Sequence, residues 1–370
     1  MNKPIFVLIS PKNRTVYNFR GDLIKEITNK GYKVIVTGPD RTDVDKIEAL
    51  GAGFFEIPMN KTGTSIVSDL KYCKKLTVFL KKLKPAVTLG YTVKPVIYGA
   101  IAAKRAGVKN INSLVTGGGY TFTSKTLKAR ILGMIVRLLY KIGLGKADHV
   151  IFQNPDDLRE FTKTGLVKKE KCSCVNGSGV NLEHFTPIPY PGEISFFMLS
   201  RLLKSKGVRE YLEAARQAKN NHPEAKFFIL GKYETAMQDA VEREYIESFI
   251  NDGTVNRFEE TDDVRPYYSM CSVYVLPSYR EGMPRTVLEA MAMGRPIITA
   301  DTYGCRETVE EGLNGFLVPV GDSVSLAEKM EWFLNNPESV EKMGRESLRI
   351  VNEKFDVRII NAEMTRIMCI

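Results

Sequence analysis

The chain has 370 residues, of which 44% are hydrophobic and 26% charged, a globular composition on a length that favours two domains. No apolar run reaches the roughly 20 residues of a membrane-spanning helix, and the opening apolar run is too short for a signal peptide. The six cysteines lack paired spacing. We therefore expect a cytoplasmic protein with reduced thiols. The net charge of +10 is uneven: residues 1–186 carry about +17 and residues 187–370 about −7, so the first half should attract nucleic acid, an anionic membrane surface or diphosphate-bearing substrates.

Short β-rich runs alternate with helical patterns through the first half of the chain. Amphipathic stretches between the strands include FRGDLIKEITNKG, VSDLKYCKKLTVFLKKLK and VIYGAIAAKRAG. Strands that alternate with helices of about 10–15 residues indicate βαβ units and a parallel sheet. The strands predicted there are IFVLIS, KVIVTG, GFFEIP, AVTLGY, NINSLV, HVIFQN and KCSCVN.

A segment rich in Gly and Pro, residues 176–193, interrupts the alternation and indicates a linker between two doubly wound α/β domains. We expect a first domain over 1–185, a second over 186–350 and a C-terminal helix over 351–370 that returns to the first domain. The strands predicted in the second domain are ISFFMLS, AKFFILG, TVNRF, SVYVLPS, PIITA and GFLVPV. Its helices are expected near 207–219, 235–250, 286–293 and 323–335.

The stretch REGMPRTVLEAMAMG places two glutamates around a helix start expected near Pro284. The N–H groups at such a start, together with the helix dipole, readily hold a phosphate. Glu281 precedes the helix, whereas Glu289 lies among apolar residues, where a carboxylate is costly unless something binds it. We interpret both acids as acceptors for sugar hydroxyls, one from a transferred hexose and the other from a nucleotide ribose.

A second element, FFMLSRLLKSKGVREYLEAA, reads as a strand, then Arg201, then Lys206 and Gly207 at another helix start. An arginine fork and a lysine point charge at the mouth of one sheet suit a diphosphate. A solvated loop explains either cation alone, but their combination with the two glutamates favours a functional site.

These motifs, together with PSYREGMPRTVLEAMAMGRPIITAD, resemble the retaining glycosyltransferases of family GT4 over essentially the whole chain. The resemblance implies the GT-B fold, with two Rossmann-like domains facing a central cleft. It also implies transfer of a hexose or N-acetylhexosamine from a nucleoside-diphosphate sugar, with uracil as the favoured base. The donor would be held mostly by the second domain and the acceptor mostly by the first.

The resemblance implies a role for each matching residue. Arg201 and Lys206 would act on the diphosphate and Glu281 on the donor hexose, and these three form the predicted catalytic set. Glu289 would take the ribose hydroxyls. The remaining donor contacts would come from Gly231, Asn256 and Arg257 near the base, and from the backbone at Gly282, Met283, Pro284 and Arg285.

No metal or other cofactor is expected, because protein cations already neutralise the leaving diphosphate. The single D-x-D, from Asp43 to Asp45, lies on a predicted surface helix. The loop SPKNRTVYNFRG after the first strand lacks G-x-G-x-x-G, which argues against a dinucleotide. With no carboxylate pair suited to a covalent intermediate, the resemblance implies front-side attack assisted by the leaving phosphate.

The sequence departs from the family pattern in three ways. The usual histidine of the first-domain loop is missing, since His149, His184 and His222 lie in no matching loop. Glu259 replaces a common glycine. Arg285 replaces an apolar residue and is a candidate contact for an acidic or phosphorylated ligand.

Two first-domain segments, YTVKPVIYGAIAAKRAG and LVTGGGYTFT, resemble those of members that act on lipid-linked oligosaccharides. They imply a polyprenyl-diphosphate-linked acceptor in surface polysaccharide or glycan synthesis. Lys94 is a candidate phosphate contact or a plain surface lysine, and the glycine triplet is an acceptor loop or a plain turn. The predicted acceptor contacts are Arg14, Arg20, Lys94, Gly117, Gly118 and Gly119.

The stretch SKTLKARILGMIVRLLYKIGLG has a broad apolar face flanked by lysines and arginines. Such a helix more often packs on its sheet, but a basic amphipathic helix also lies in membrane interfaces. Peripheral contact with the inner face of the plasma membrane is therefore kept as a hypothesis. No nucleic-acid partner is expected.

Two other functions remain open on the residues alone. A GT-B sugar-nucleotide epimerase would share the fold, although the paired cations and glutamates argue against it. A non-enzymatic protein that binds membranes or polyanions would explain the charge but would leave Glu289, among its apolar neighbours, unexplained.

Overall fold

The structure is a computed structural model that describes residues 3–60, 65–117, 127–234 and 237–370. It divides into two compact units, one of Met1–Ser178 with Val357–Ile370 and the other of Gly179–Asp356. Among the described residues, no helix combines the length and apolar character needed to cross a membrane.

The division falls at 178/179 rather than at the expected 185/186, because the intervening residues are bonded to the second unit. Val180 donates its N–H to the carbonyl of Phe355 at 2.8 Å. Val180 and Phe185 are also buried in the hydrophobic core of the second unit.

The first unit contains a seven-stranded sheet whose strands all run parallel. Its strands are β1 (Ile5–Ile9), β2 (Lys33–Gly38), β3 (Gly53–Glu56), β4 (Val87–Tyr91), β5 (Asn110–Val115), β6 (His149–Phe152) and β7 (Cys172–Cys174). Their order across the sheet is β3-β2-β1-β4-β5-β6-β7. The central strands are apolar runs because helices cover both faces.

The helices of the first unit are α1 (Asn13–Asn29), α2 (Val44–Glu48), α3 (Ile66–Leu83), α4 (Ala100–Ala106), α5 (Leu127–Lys146) and α6 (Pro155–Lys163), with a π-helical segment Pro95–Gly99 leading into α4. Alternating residues of β1 enter two cores, one with α1 and α2 and the other with α3 to α6. The C-terminal helix (Val357–Ile367) packs against α1 in the first of these cores.

The second unit contains a six-stranded parallel sheet. Its strands are β8 (Ser195–Leu199), β9 (Lys226–Leu230), β10 (Asn256–Phe258), β11 (Val273–Leu276), β12 (Ile297–Ala300) and β13 (Gly315–Val318), in the order β10-β9-β8-β11-β12-β13. Its helices are α7 (Val208–Asn221), α8 (Arg243–Asn251), α9 (Arg265–Ser269), α10 (Arg285–Ala292), α11 (Ser323–Asn335) and α12 (Glu338–Lys354).

Two helix predictions need correction. The helix expected near 235–250 begins only at Arg243. The single helix expected over 351–370 is two helices, since α12 ends at Lys354 and the C-terminal helix begins at Val357.

In both sheets the strand order reverses beside the first strand, between β1 and β4 and between β8 and β11. Ligands of open parallel sheets bind at such reversals, outside the carboxyl ends of the strands. The loops that follow β8 and β11 are therefore the place to look for a site in the second unit.

Candidate functional site

Lys206 and Glu281 meet where the strand order of the second sheet reverses. Lys206 ends a 3₁₀ turn, Lys204–Lys206, after β8, and its ammonium group donates to Oε1 of Glu281 in the loop after β11. The hydroxyl of Ser278 donates to the same oxygen at 2.8 Å. Both side chains of the ion pair keep some exposure, 22% for the lysine and 15% for the glutamate, so a ligand can reach them.

Gly207 allows the Lys206 turn to lie against the loop after β11. Its φ of +73° is in the left-handed region, and a Cβ there would lie 2.2 Å from the carbonyl oxygen of Pro277. No side chain fits in that space. A hydrogen bond from Tyr279 N–H to Ser205 O, at 2.9 Å, closes the same contact.

A third loop, which follows β12, holds the backbone around Glu281. The N–H of Glu281 donates to the carbonyl of Tyr303 at 3.0 Å. Gly304 has a φ of +75°, and a Cβ there would lie 2.6 Å from the carbonyl oxygens of both Glu281 and Gly282. Sequence reasoning missed this support; the glycine in DTYGC was its only signal.

Glu289 is 9% exposed on α10 and has two partners in the protein. The hydroxyl of Tyr268 donates to Oε2 at 3.2 Å, and Nε of Arg285 lies 3.2 Å from Oε1. Burial raises the pKa of Glu289, while Arg285 and Tyr268 act in the opposite direction. The sequence led us to expect a ligand as the partner of this costly carboxylate. In the structure, Arg285 and Tyr268 are partners that the protein itself supplies.

The approach to α10 differs slightly from the prediction. The helix begins at Arg285, and Pro284 is its N-cap rather than its first residue. Gly282, Met283 and Pro284 therefore lie in the connecting loop, next to the first N–H groups of the helix, which have no partner within it. This loop is one that could receive a phosphate.

Arg201 lies two residues after the end of β8 and is exposed. Its Nη1 lies 3.4 Å from the sulfur of Met237, a weak acceptor. Within the parts of the chain that the structure describes, no carboxylate pairs with this guanidinium.

Arg257 of β10 and the residues after β9 form a second polar cluster. Arg257 donates from Nη1 to the carbonyl of Gly231 at 2.8 Å, and its guanidinium lies over the Tyr233 ring, 4.3 Å from the centroid. A Cβ on Gly231 would lie 2.2 Å from the carbonyl oxygen of Ser200, so this position also excludes a side chain. Asn256 is exposed but opens β10, away from the carboxyl end of that strand.

Comparison with known proteins decides the family. The model of glycosyl transferases group 1 matches residues 182–349, and that of glycosyl transferase 4-like domains matches residues 7–154. The chain is a group 1 glycosyltransferase. This assignment favours neither of the two alternative functions.

Relatives and solved structures agree with this assignment. The chain is 27% identical over 343 residues to the N,N'-diacetylbacillosaminyl-diphospho-undecaprenol alpha-1,3-N-acetylgalactosaminyltransferase of Campylobacter jejuni, with 89% of each protein covered. It is 26% identical over 282 residues to the UDP-Gal:alpha-D-GlcNAc-diphosphoundecaprenol alpha-1,3-galactosyltransferase of Escherichia coli, covering 72% of this chain and 71% of that protein.

The Anabaena protein HepE, solved in complex with UDP and glucose, superposes with a TM-score of 0.78 at 16% identity, covering 98% of each chain. Likeness at this identity concerns the fold. The predicted GT-B class of two parallel α/β domains is confirmed.

The predicted acceptor contacts of this glycosyltransferase lie in its first unit, and two of them have partners there. The ammonium group of Lys94 donates to Asp69 at 2.6 Å, with both side chains largely buried. Arg20 is 4% exposed, donates to Ser178 at 2.8 Å and lies over the ring of Tyr91. The structure thus gives Lys94 a carboxylate partner and Arg20 a buried position, and their role as acceptor contacts stays a prediction.

The remaining predicted acceptor contacts are likewise predictions. Arg14 lies in the first turn of α1 and is partly exposed. Gly117 follows β5 with a φ of +118°, as a loop glycine should. Gly118 and Gly119 lie outside the described residues. Among the described residues, no group of three His, Cys, Asp or Glu is arranged to hold a metal ion.

Proposed function

We propose that this glycosyltransferase moves a hexose or N-acetylhexosamine from a UDP-sugar to a polyprenyl-diphosphate-linked saccharide, with retention of the anomeric configuration. The observation that carries the donor half is the contact of Lys206 with Glu281 at the strand reversal. The acceptor half rests on the relatives from Campylobacter jejuni and Escherichia coli, whose names specify undecaprenol-diphosphate acceptors. The choice of uracil as the base rests on the UDP in the name of the Escherichia coli relative and on the UDP in the HepE complex.

Donor binding exchanges the partners of this ion pair. The ammonium group of Lys206 turns to the diphosphate, joined by Arg201 from the same loop. Glu281 then accepts a hydroxyl of the hexose, and Ser278 keeps the carboxylate in place. Because each charge has a partner before binding and a new one after, little uncompensated charge is created.

In the reaction, the bond between C1 of the sugar and the diphosphate oxygen breaks. A bond from C1 to the acceptor oxygen forms on the same face, and the acceptor proton passes to the departing diphosphate. Lys206, Arg201 and the N-terminus of α10 stabilise the charge that develops on the leaving group. Since protein groups supply this charge, we expect activity in the presence of EDTA.

Glu289 would accept the ribose hydroxyls. The raised pKa of Tyr268, caused mainly by burial, keeps its hydroxyl protonated so that it can hold one carboxylate oxygen. Arg285 holds the other. A ribose that binds here meets a carboxylate already fixed in position, which lowers the entropy cost of recognition.

The first unit would work at a membrane surface that carries the lipid-linked acceptor. Helix α5 packs through Tyr140 and Leu144 but leaves a stripe of apolar side chains exposed. The stripe consists of Met134, Ile135, Leu138 and Ile142. Together with the positive first half, such a stripe suits the interface of an anionic membrane.

A donor panel tests the proposal. Purified protein is mixed with UDP-GalNAc, UDP-GlcNAc, UDP-galactose, UDP-glucose or GDP-mannose in EDTA, and thermal shift and nucleotide release are measured. One UDP-sugar should stabilise the wild type but not Glu289→Ala. Transfer to a synthetic prenyl-diphosphate saccharide, with the anomeric configuration read by NMR, tests the acceptor and retention. Failure of every donor to bind the wild type would overturn the proposal.

A further inference from the structure

An open apolar groove lies between β3 and α3 on the first unit, in a part of the fold to which the proposed chemistry gives no role. It encloses about 890 Å³. The rings of Phe55 and Phe79 stack in it, with centroids 4.2 Å apart. Ile57, Pro58, Val78 and Leu83 complete the apolar lining. Two of these side chains are unusually exposed for their size, Phe55 at 46% and Val78 at 60%.

Four lysines border this lining: Lys71, Lys74, Lys75 and Lys82. Among the described residues, none of their ammonium groups pairs with a carboxylate. Glu56 is the one acid in the lining, which leaves a clear positive excess around an apolar surface.

The outward half of α3 has the same character along its length. The first turns of the helix expose Ile66, Val67 and Leu70 by 56% to 66%. The single acid of α3, Asp69, is buried and bonded to Lys94, so it does not offset the lysines of the outer surface. Solvent-facing helix surfaces usually mix both charge signs. This one presents only apolar, neutral and positive groups.

From these observations we propose that the groove between β3 and α3 binds an anionic membrane phospholipid. One acyl chain lies against Phe55, Val78 and Phe79, and the headgroup phosphate lies between the lysines. An apolar floor with a cationic border matches a ligand with an apolar chain and an anionic head, because each part meets its complement. The proposal rests on the membrane contact proposed above, and it assigns a specific lipid site to that contact.

Binding to the full chain tests the site without any donor. The lipid and headgroup probes are dihexanoylphosphatidylglycerol below its micelle concentration, dihexanoylphosphatidylcholine and glycerol phosphate, each titrated by calorimetry. Hexaglutamate is titrated separately as an acidic peptide. We expect the phosphatidylglycerol to bind at least about tenfold more tightly than the other two, since only it uses both the lysines and the apolar floor. Glycerol phosphate binding as tightly as the lipid would overturn the proposal, as would tight binding of hexaglutamate, which would identify a site for acidic peptides.

Two variants and a matched control locate the site. Lys74→Gln/Lys75→Gln should weaken phosphatidylglycerol binding about 10- to 30-fold, and Val78→Ser should weaken it by a smaller factor. The control, Lys168→Gln/Lys169→Gln, removes the same charge from exposed positions before β7, at the opposite edge of the sheet, and should bind like the wild type. Equal losses in control and test variants would contradict a defined site.

Vesicles of phosphatidylcholine with and without 30% phosphatidylglycerol complete the test. The Lys74→Gln/Lys75→Gln variant should co-sediment less with the anionic vesicles than either the wild type or the control. All variants should keep the donor-induced thermal shift of the wild type, since none alters the second unit. Loss of lipid binding and absence of donor binding are thus read separately, so one proposal can fail without the other.

Discussion

Arg285 and Glu289 lie one turn apart on α10 and pair with each other, Nε to Oε1 at 3.2 Å, with side chains only 15% and 11% exposed. An ion pair this far from water behaves differently from a surface pair. Removing one partner leaves a buried charge without compensation, which costs more than the pair itself contributes. The arginine that departs from the family pattern therefore belongs to the site, as the partner of the proposed ribose acceptor.

Replacing Arg285 by methionine tests this interpretation. We expect Arg285→Met to lower the free energy of unfolding by about 1–3 kcal/mol at neutral pH, because Glu289 keeps its burial and loses its cation. Arg345→Met is the matched control, since Arg345 pairs with Glu341 at the same helical spacing but with both side chains more than 60% exposed. It should change stability little. Equal losses in urea unfolding would refute the interpretation.

The Lys206 turn offers a second pair of test and control variants. Lys206→Met should lower kcat/KM about 10²- to 10³-fold, because the leaving diphosphate loses a cation at the point where charge develops. Lys204, in the same turn, pairs with Glu242 at 2.7 Å instead of Glu281. Lys204→Met removes an equal charge two residues away and should stay within a fewfold of the wild type. Similar losses from both variants, measured by steady-state transfer, would point to general electrostatics rather than to a site.

Alanine substitutions at Gly207 and Gly253 distinguish the cost of a steric clash from the cost of a left-handed backbone conformation. Their φ values are almost equal, +73° and +74°, but a Cβ on Gly207 meets the carbonyl of Pro277, whereas one on Gly253 meets nothing within 4 Å. Gly253→Ala should cost about 1–2 kcal/mol from the left-handed conformation alone.

Gly207→Ala should cost about 1–3 kcal/mol more, because the turn must move off the neighbouring loop. It should also reduce transfer activity, since Lys206 moves with the turn. Chemical denaturation and kinetics of both variants check this. If Gly207→Ala lowered stability no more than Gly253→Ala does, the Lys206 turn and the loop after β11 would separate at little cost.

The elements of the donor site could be predicted because they are contiguous in sequence. Glu281, the loop after it and Glu289 lie within one strand–loop–helix unit, so their proximity follows from local structure. The placement of Lys206 and Glu281 at one edge of the sheet followed from the rule that parallel strands present their carboxyl ends there, whereas their direct ion pair is a finding of the structure. Local pattern and sheet topology were sufficient there.

Contacts between distant segments could not be predicted in this way. The sequence gives no sign of a carboxylate partner for Lys94. In the structure, Asp69, which is 25 residues earlier in the chain, packs beside it. The support that Gly304 gives to Glu281 depends on two loops that touch only because β12 lies next to β11. Such pairings arise from tertiary packing, which neither residue type nor spacing encodes.

The titration of Glu289 gives a final prediction, in which stability and function have opposite pH dependences. Because the folded protein raises the pKa of this carboxyl, it binds a proton more readily than the unfolded chain does. The contribution of Glu289 to stability is therefore greatest at low pH. It declines as pH rises from the unfolded pKa near 4.5 through the raised value, where the buried group must ionise.

Thermal unfolding of the wild type and Glu289→Gln across pH 4 to 8 measures this. The Tm of the wild type relative to the variant should fall as pH rises through that window, since glutamine does not titrate. Affinity for the UDP-sugar should rise over the same window in the wild type, because a ribose hydroxyl is held best by the ionised carboxylate. A Tm difference that does not vary with pH would mean that Glu289 titrates alike in the folded and unfolded chains, and that Arg285 and Tyr268 fully offset its burial.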